Sequence, residues 1–126
     1  MASKEYYLNN KEHVLKKSKA WYEANEEYVR ALRATPEWKA ARKAKRQELK
    51  REKKRKAIDM LGGMCARCQG KFPLCCYDFH HKEGEDKNDL VGYLLNKPWS
   101  LVEAEIQKCE VLCANCHRII HHGEHY

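Results

Sequence analysis

Residues 112–122 read LCANCHRIIHH, and this short stretch sets the architecture of the chain. Cys113 and Cys116 form a CxxC pair, which lets two thiolates reach one tetrahedral ion from a tight turn. A helix beginning near Ala114 carries His117, His121 and His122, and residues four apart on a helix share one face. A thiolate knuckle therefore runs directly into a helix bearing imidazoles. Cys65 and Cys68 make a second CxxC, separated from the first by 44 residues. Two such pairs close a four-thiolate site, expected to hold a structural Zn2+. The gap in a simple zinc ribbon is about 15–20 residues. The longer segment here must form something of its own, and it carries His80 and His81.

Residues 75–81 (CCYDFHH) alternate like a strand, which puts the neighbours His80 and His81 on opposite sides. With zinc satisfied by thiolates, His80, His81, His117 and His121 amount to a second, open site, in which one of the adjacent strand histidines can ligate a metal while the other faces solvent and substrate. Cys75, Cys76 and Cys109 remain over. They are expected to be small buried hydrophobes, with Cys75 and Cys76 on opposite strand faces. A polar loop is expected over 82–88, and Ser100 with Glu103 offers a capping box for a short helix just after Pro98 and Trp99.

Working outward, the other half of the chain has a different character. Residues 1–59 carry 18 Lys/Arg against 9 Asp/Glu, whereas residues 60–126 carry 7 against 9. Every cysteine and six of the seven histidines lie in the second half. Asn9 with Glu12 gives a capping-box start, and apolar residues then recur at helical spacing from Val14 to Leu32, which predicts a helix over about 10–34. Thr35 and Pro36 suit the cap and first position of a second helix over 36–61, which Gly62 and Gly63 end. The expected organisation is a helical extension, 1–61, ahead of a zinc-stabilised domain, 62–126.

Residues 39–56 hold 11 bases and 2 acids, more than solubility needs. Lys39, Arg42, Lys43, Lys45, Arg46, Lys50, Arg51, Lys53, Lys54, Arg55 and Lys56 are thus candidate phosphate contacts, and double-stranded DNA is the expected polyanion. A membrane surface fits worse, because this helix lacks the opposing apolar face that interfacial helices use. No apolar run among the 126 residues approaches the roughly 20 needed to span a bilayer, and the opening residues offer no secretory h-region. A cytoplasmic protein is expected, in which seven cysteines suit metal better than disulfides.

The ordered set of CxxC, Asp78-Phe79-His80-His81, and Leu112-Cys113-Ala114-Asn115-Cys116-His117 with His121 resembles the zinc-bearing HNH endonucleases. The likeness is to the small phage-type proteins and the endonuclease VII group, and it covers roughly residues 62–122. It implies an α+β chain whose C-terminal part has the ββα-metal fold. It also implies that His80 and His117 bind a catalytic divalent ion, that His81 is the general base, and that His121 is a further ligand. Many members place an Asn about five residues before the third zinc cysteine to orient the base. Here Lys108 stands there, and Asn115 lies inside the second knuckle.

The residues suit phosphodiester hydrolysis on chemical grounds as well. A neutral imidazole can activate water near pH 7, and a cation beside the phosphate stabilises the charge that builds on its oxygens. Asp78 could steady a histidine from behind. Histidine ligands admit Mg2+ or Mn2+, and also Ni, Co or Zn. Whether one strand or both would be cut depends on whether the chain acts as a monomer or a homodimer. Two other readings compete. One is a catalytically inactive zinc-stabilised DNA-binding module. The other is a zinc deaminase, since His81-Lys82-Glu83 followed by Cys113-x2-Cys116 approaches H-x-E…P-C-x-x-C. Leu112 replaces the proline of that signature, and Cys65, Cys68, His80 and His117 are left without a role.

Overall fold

The computed structural model describes residues 3–85 and 90–123. The chain is α+β and mostly helical, with a two-stranded antiparallel sheet. It divides into two compact units, Met1–Lys43 and Ala44–Tyr126.

The first unit contains α1 (Lys4–Asn9), α2 (Lys11–Ala24) and α3 (Glu26–Ala34), with no buried residue in any of them. The single helix expected over 10–34 is broken at Asn25, and a further helix precedes Asn10. Both asparagines leave helical geometry, at φ −120°, and turn their side-chain amides back onto a carbonyl four residues earlier. Nδ2 of Asn10 donates to Tyr6 O at 3.0 Å and Nδ2 of Asn25 to Trp21 O at 2.7 Å. Asparagine competes for backbone groups in this way, which is why it interrupts helices. The expected Asn9 cap is not formed, because Asn9 closes α1 and the capping side chain is Ser3, which accepts from Tyr6 N at 3.2 Å.

Helix α4 (Pro36–Met60) starts as expected, with Thr35 Oγ1 accepting from Trp38 N at 3.3 Å. Gly62 and Gly63 end it at φ 109° and 72°, where a side chain would be strained, and Gly63 N donates to Ile58 O at 2.9 Å. Ala57 and Ile58 are the only buried residues of this 25-residue helix. They enter the core of the second unit, so the last turns of α4 are part of that unit's packing.

The sheet pairs β1 (Tyr77–His81) with β2 (Cys109–Cys113), Tyr77 opposite Cys113 and His81 opposite Cys109. Side chains alternate across it. One face presents Tyr77, Phe79 and Val111 to a core built with Ala57 and Ile58 of α4, Val91 and Leu94 of α5 (Val91–Leu94), and Val102 and Ile106 of α6 (Trp99–Ile106). The other face presents Asp78, His80 and Leu112 toward α7 (Ala114–His122), which packs on both strands.

Two local expectations differ from the structure. Cys75 and Cys76 lie in a 3₁₀ turn, Leu74–Cys76, held by Cys76 N donating to Pro73 O at 2.9 Å, so they precede the strand instead of alternating on it. Cys75 is exposed and Cys76 half-buried; of the three surplus cysteines only Cys109 is buried. Ser100 does not cap α6: the cap position is Pro98, and Trp99 begins the helix by packing on the core. Residues 82–85 of the expected loop form a turn, Glu85 N donating to Lys82 O at 3.2 Å, and 86–88 lie outside the described residues. No helix among the described residues is long and apolar enough to cross a membrane.

Candidate functional site

Two ligand clusters grow from the ββα unit, one buried and one open. Cys65, Cys68, Cys113 and Cys116 bring four sulfurs within 4.8 Å of one another. Their placement is local in origin. The first knuckle turns back through Cys65 N donating to Gly70 O at 3.0 Å and Gln69 N to Cys65 O at 2.9 Å. It is tied to the sheet by Ala66 N donating to Val111 O at 2.8 Å. The second knuckle is the start of α7, where Cys113 Sγ accepts from Cys116 N at 3.4 Å as the helix cap. Gly70 leaves room at the turn for Phe72: a Cβ there would stand 2.5 Å from the far edge of its exposed ring, which would have to move, and 3.3 Å from Cys68 Sγ.

The donors suit a zinc-sized ion. Zn–S bonds of about 2.3 Å give a tetrahedron with sulfur–sulfur edges of about 3.8 Å, and Cys68 Sγ lies 4.0 Å from Cys113 Sγ. The thiols also divide electrostatically. Burial alone would push Cys65 up, but bonds from the backbone of Cys68, Cys113 and Arg67 bring it down to about 6. Burial and the neighbouring thiols push Cys116 up to about 12. Crowded sulfurs cannot all ionise on their own, and a shared dication removes that conflict. The four cysteines can therefore hold a metal such as zinc.

The second cluster joins His80 from β1 to His117 and His121 from α7, again with ligand atoms within 4.8 Å of one another. The rings stand edge to face, 4.7–5.4 Å between centroids. His117 and His121 bring their Nε2 atoms to 3.0 Å. Asp78, on the same strand face as His80, places Oδ2 3.1 Å from His117 Nδ1. A carboxylate there accepts the Nδ1 proton and leaves Nε2 with its lone pair toward the cluster, the usual arrangement behind a metal-binding histidine. Burial, followed by the two neighbouring imidazoles, lowers the His80 pKa below its ordinary value, which keeps that ring neutral and able to donate a lone pair.

His81 is on the opposite strand face and points to a partner that sequence reading missed. Its Nε2 lies 2.7 Å from Glu105 Oε1, and Glu105 Oε2 lies 3.2 Å from Lys108 Nζ. Glu105 is 3% exposed. The clue in the sequence is an acid at the same helical face as Val102 and Ile106, both buried. Lys108, at the position where the resemblance leads one to expect Asn, thus contacts the carboxylate that His81 contacts, and its carbonyl also accepts from Lys82 N at 3.0 Å.

All four histidines line one cavity of about 1220 Å³. Its far wall is a single stripe of α4 at helical spacing, Gln47, Lys50, Arg51 and Lys54, and Leu90, Val91 and Tyr93 add an apolar side. The eleven candidate phosphate contacts are therefore not equivalent. Lys53 donates to Lys97 O at 2.6 Å, Lys56 sits 4.1 Å over the Trp99 ring, and Lys45 pairs with Glu48 at 3.2 Å. Arg46 and Arg55 are exposed and line no part of the histidine cavity, and Lys39, Arg42 and Lys43 are exposed within the first unit. Set against known proteins, the chain matches no family model, no curated protein and no solved structure.

Proposed function

We propose that the chain is a metal-dependent endonuclease of the HNH type, with Cys65, Cys68, Cys113 and Cys116 holding a structural Zn2+ and His80, His117 and His121 holding a catalytic divalent ion. The observation that carries the reading is the cavity itself: three imidazoles that can share an ion face a helical stripe of Lys50, Arg51 and Lys54. Ligand chemistry and phosphate-binding chemistry meet in one place, which a purely structural metal site does not need.

In this reading the α4 cations seat the nucleic-acid backbone, contributing affinity that is strong, salt-dependent and largely independent of sequence. His81 accepts a proton from water as the water oxygen attacks phosphorus. The P–O3′ bond breaks, leaving a 5′-phosphate and a 3′ oxygen that takes a proton from solvent. A bound Mg2+ or Mn2+ would supply charge stabilisation for the phosphate and the leaving oxygen. Asp78 keeps His117 in the tautomer that binds metal.

The inactive DNA-binding module stands as the second reading, because the basic stripe would serve it equally. The deaminase reading loses ground on placement. It needs His81 beside Cys113 and Cys116, whereas those cysteines gather with Cys65 and Cys68, and His81 pairs with Glu105. Incubating supercoiled plasmid with the full chain and Mg2+ or Mn2+, with EDTA as control, separates the first two. Nicking abolished by EDTA supports the nuclease; a mobility shift without nicking supports the module.

A further inference from the structure

Among the features that the zinc and histidine clusters do not absorb, the buried Glu105 stands out. A carboxylate 3% exposed is costly unless it is fully engaged, so its partners carry meaning. It comes from the apolar face of α6, beside Val102 and Ile106, and meets His81 on the sheet face that bears Tyr77 and Phe79. Lys108, three residues on, binds its other oxygen. We propose that Glu105 is the positioning residue for His81: it holds the ring as the Nε2–H tautomer, so that Nδ1 is the nitrogen able to accept a proton in the cavity.

The direction follows from donor inventory. A carboxylate bound to an ammonium accepts hydrogen bonds and has no proton to give. At 2.7 Å, His81 Nε2 is therefore the donor, which in the neutral form of the ring leaves the lone pair on Nδ1. Among the described residues Nδ1 of His81 has no hydrogen-bond partner. Lys108 fixes which way the carboxylate is turned, and Lys82 N on Lys108 O anchors the segment that follows β1 to the same turn. The residue standing at the expected Asn position thus works indirectly, through an acid that the sequence motif does not contain. The catalytic consequence rests on the nuclease reading; the tautomer does not.

The test uses the full, zinc-loaded chain. Glu105→Gln is nearly isosteric, and Lys108 should attract the new amide oxygen, turning the NH₂ toward His81. His81 Nε2 must then accept, and its proton moves to Nδ1. Nitrogen-15 spectra of the histidine rings should show Nε2 protonated in the wild type and Nδ1 protonated in Glu105→Gln. Plasmid nicking should lose kcat by about 10²–10⁴-fold, the range a general base contributes, with KM and zinc content unchanged. A wild-type ring protonated on Nδ1, an unchanged tautomer in the variant, or wild-type kcat in the folded variant overturns the proposal. Should Glu105→Gln fail to fold, the wild-type spectrum alone decides. If the wild type cleaves nothing, the nuclease reading falls by itself, and the spectra still decide the role of Glu105.

Discussion

The two ligand clusters share a sheet and a helix but sit in opposite physical settings. Cys65, Cys113 and Cys116 are buried and form their own core cluster with Leu112. His80 and His117 are half-buried, His121 is exposed, and all three border a cavity. Thiols take the place of apolar side chains at the centre of that core cluster, so an ion held there would be part of the packing. Imidazoles at the edge of a cavity can lose a ligand without opening the core. The contrast is between a ligand set enclosed in the packing and one open to a cavity.

The largest expected effect breaks the cysteine side. Cys65→Ser or Cys116→Ser should abolish folding of the second unit, because structural zinc binding is worth roughly 10–16 kcal/mol in small peptides. Far-UV circular dichroism with zinc analysis checks this; a native-like, fully zinc-loaded Cys116→Ser protein would erase the distinction. On the histidine side, His117→Ala and His80→Ala should keep the fold and the zinc while losing Mn2+ affinity. Asp78→Asn should weaken Mn2+ by about 10–100-fold, the usual cost of removing such a support. Calorimetric titration of the zinc-loaded chain reads both, and unchanged Mn2+ affinity would remove the imidazoles from ligand duty.

Smaller effects come from α4, where cations divide into cavity-facing and packing groups. Replacing Lys50, Arg51 and Lys54 by Gln should flatten the plot of log K against log salt for duplex DNA by up to about 2.7, at about 0.9 per phosphate contact. Lys56→Gln should leave that slope alone and cost about 0.5–1 kcal/mol of stability through its lost seat over Trp99. Equal slope changes for both variants would mean that the stripe has no special role. The smallest effect concerns pH. The folded His80 has a lowered pKa, so the unfolded chain takes up its proton first as pH falls. The stabilisation is complete above the unfolded imidazole value, about 6.5, and is lost as pH drops toward the lowered one. The wild type should therefore lose more melting temperature than His80→Asn between pH 7.5 and 5.5; parallel curves would contradict this.

Much of this was legible in the sequence because the chemistry is local. CxxC spacing fixes a knuckle, His117 and His121 share a helix face by period alone, and strand alternation parts His80 from His81. Thr35, Pro36, Gly62 and Gly63 marked the ends of α4 for equally local reasons. What was not legible depended on tertiary contacts. Residues 109–113 form a strand because β1 lies beside them and Val111 fills the core, which no alternation of Cys-Glu-Val-Leu-Cys announces. Glu105 reads as an ordinary helix acid until the sheet brings His81 to it. How the eleven bases divide was not legible for the same reason, since only packing assigns Lys53 to Lys97 and Lys56 to Trp99. The α4 segment with Ala57 and Ile58 joins the core, so removing everything before Asp59 would take out core side chains as well as charge.

The most direct measurement is single-turnover cleavage of supercoiled plasmid by His81→Ala beside the wild type, with Mn2+ present and DNA binding followed by mobility shift. The account predicts that the variant keeps its zinc, its Mn2+ affinity and its shift, while nicking falls by about 10²–10⁴-fold. A variant that binds DNA and nicks it at the wild-type rate would contradict the central claim.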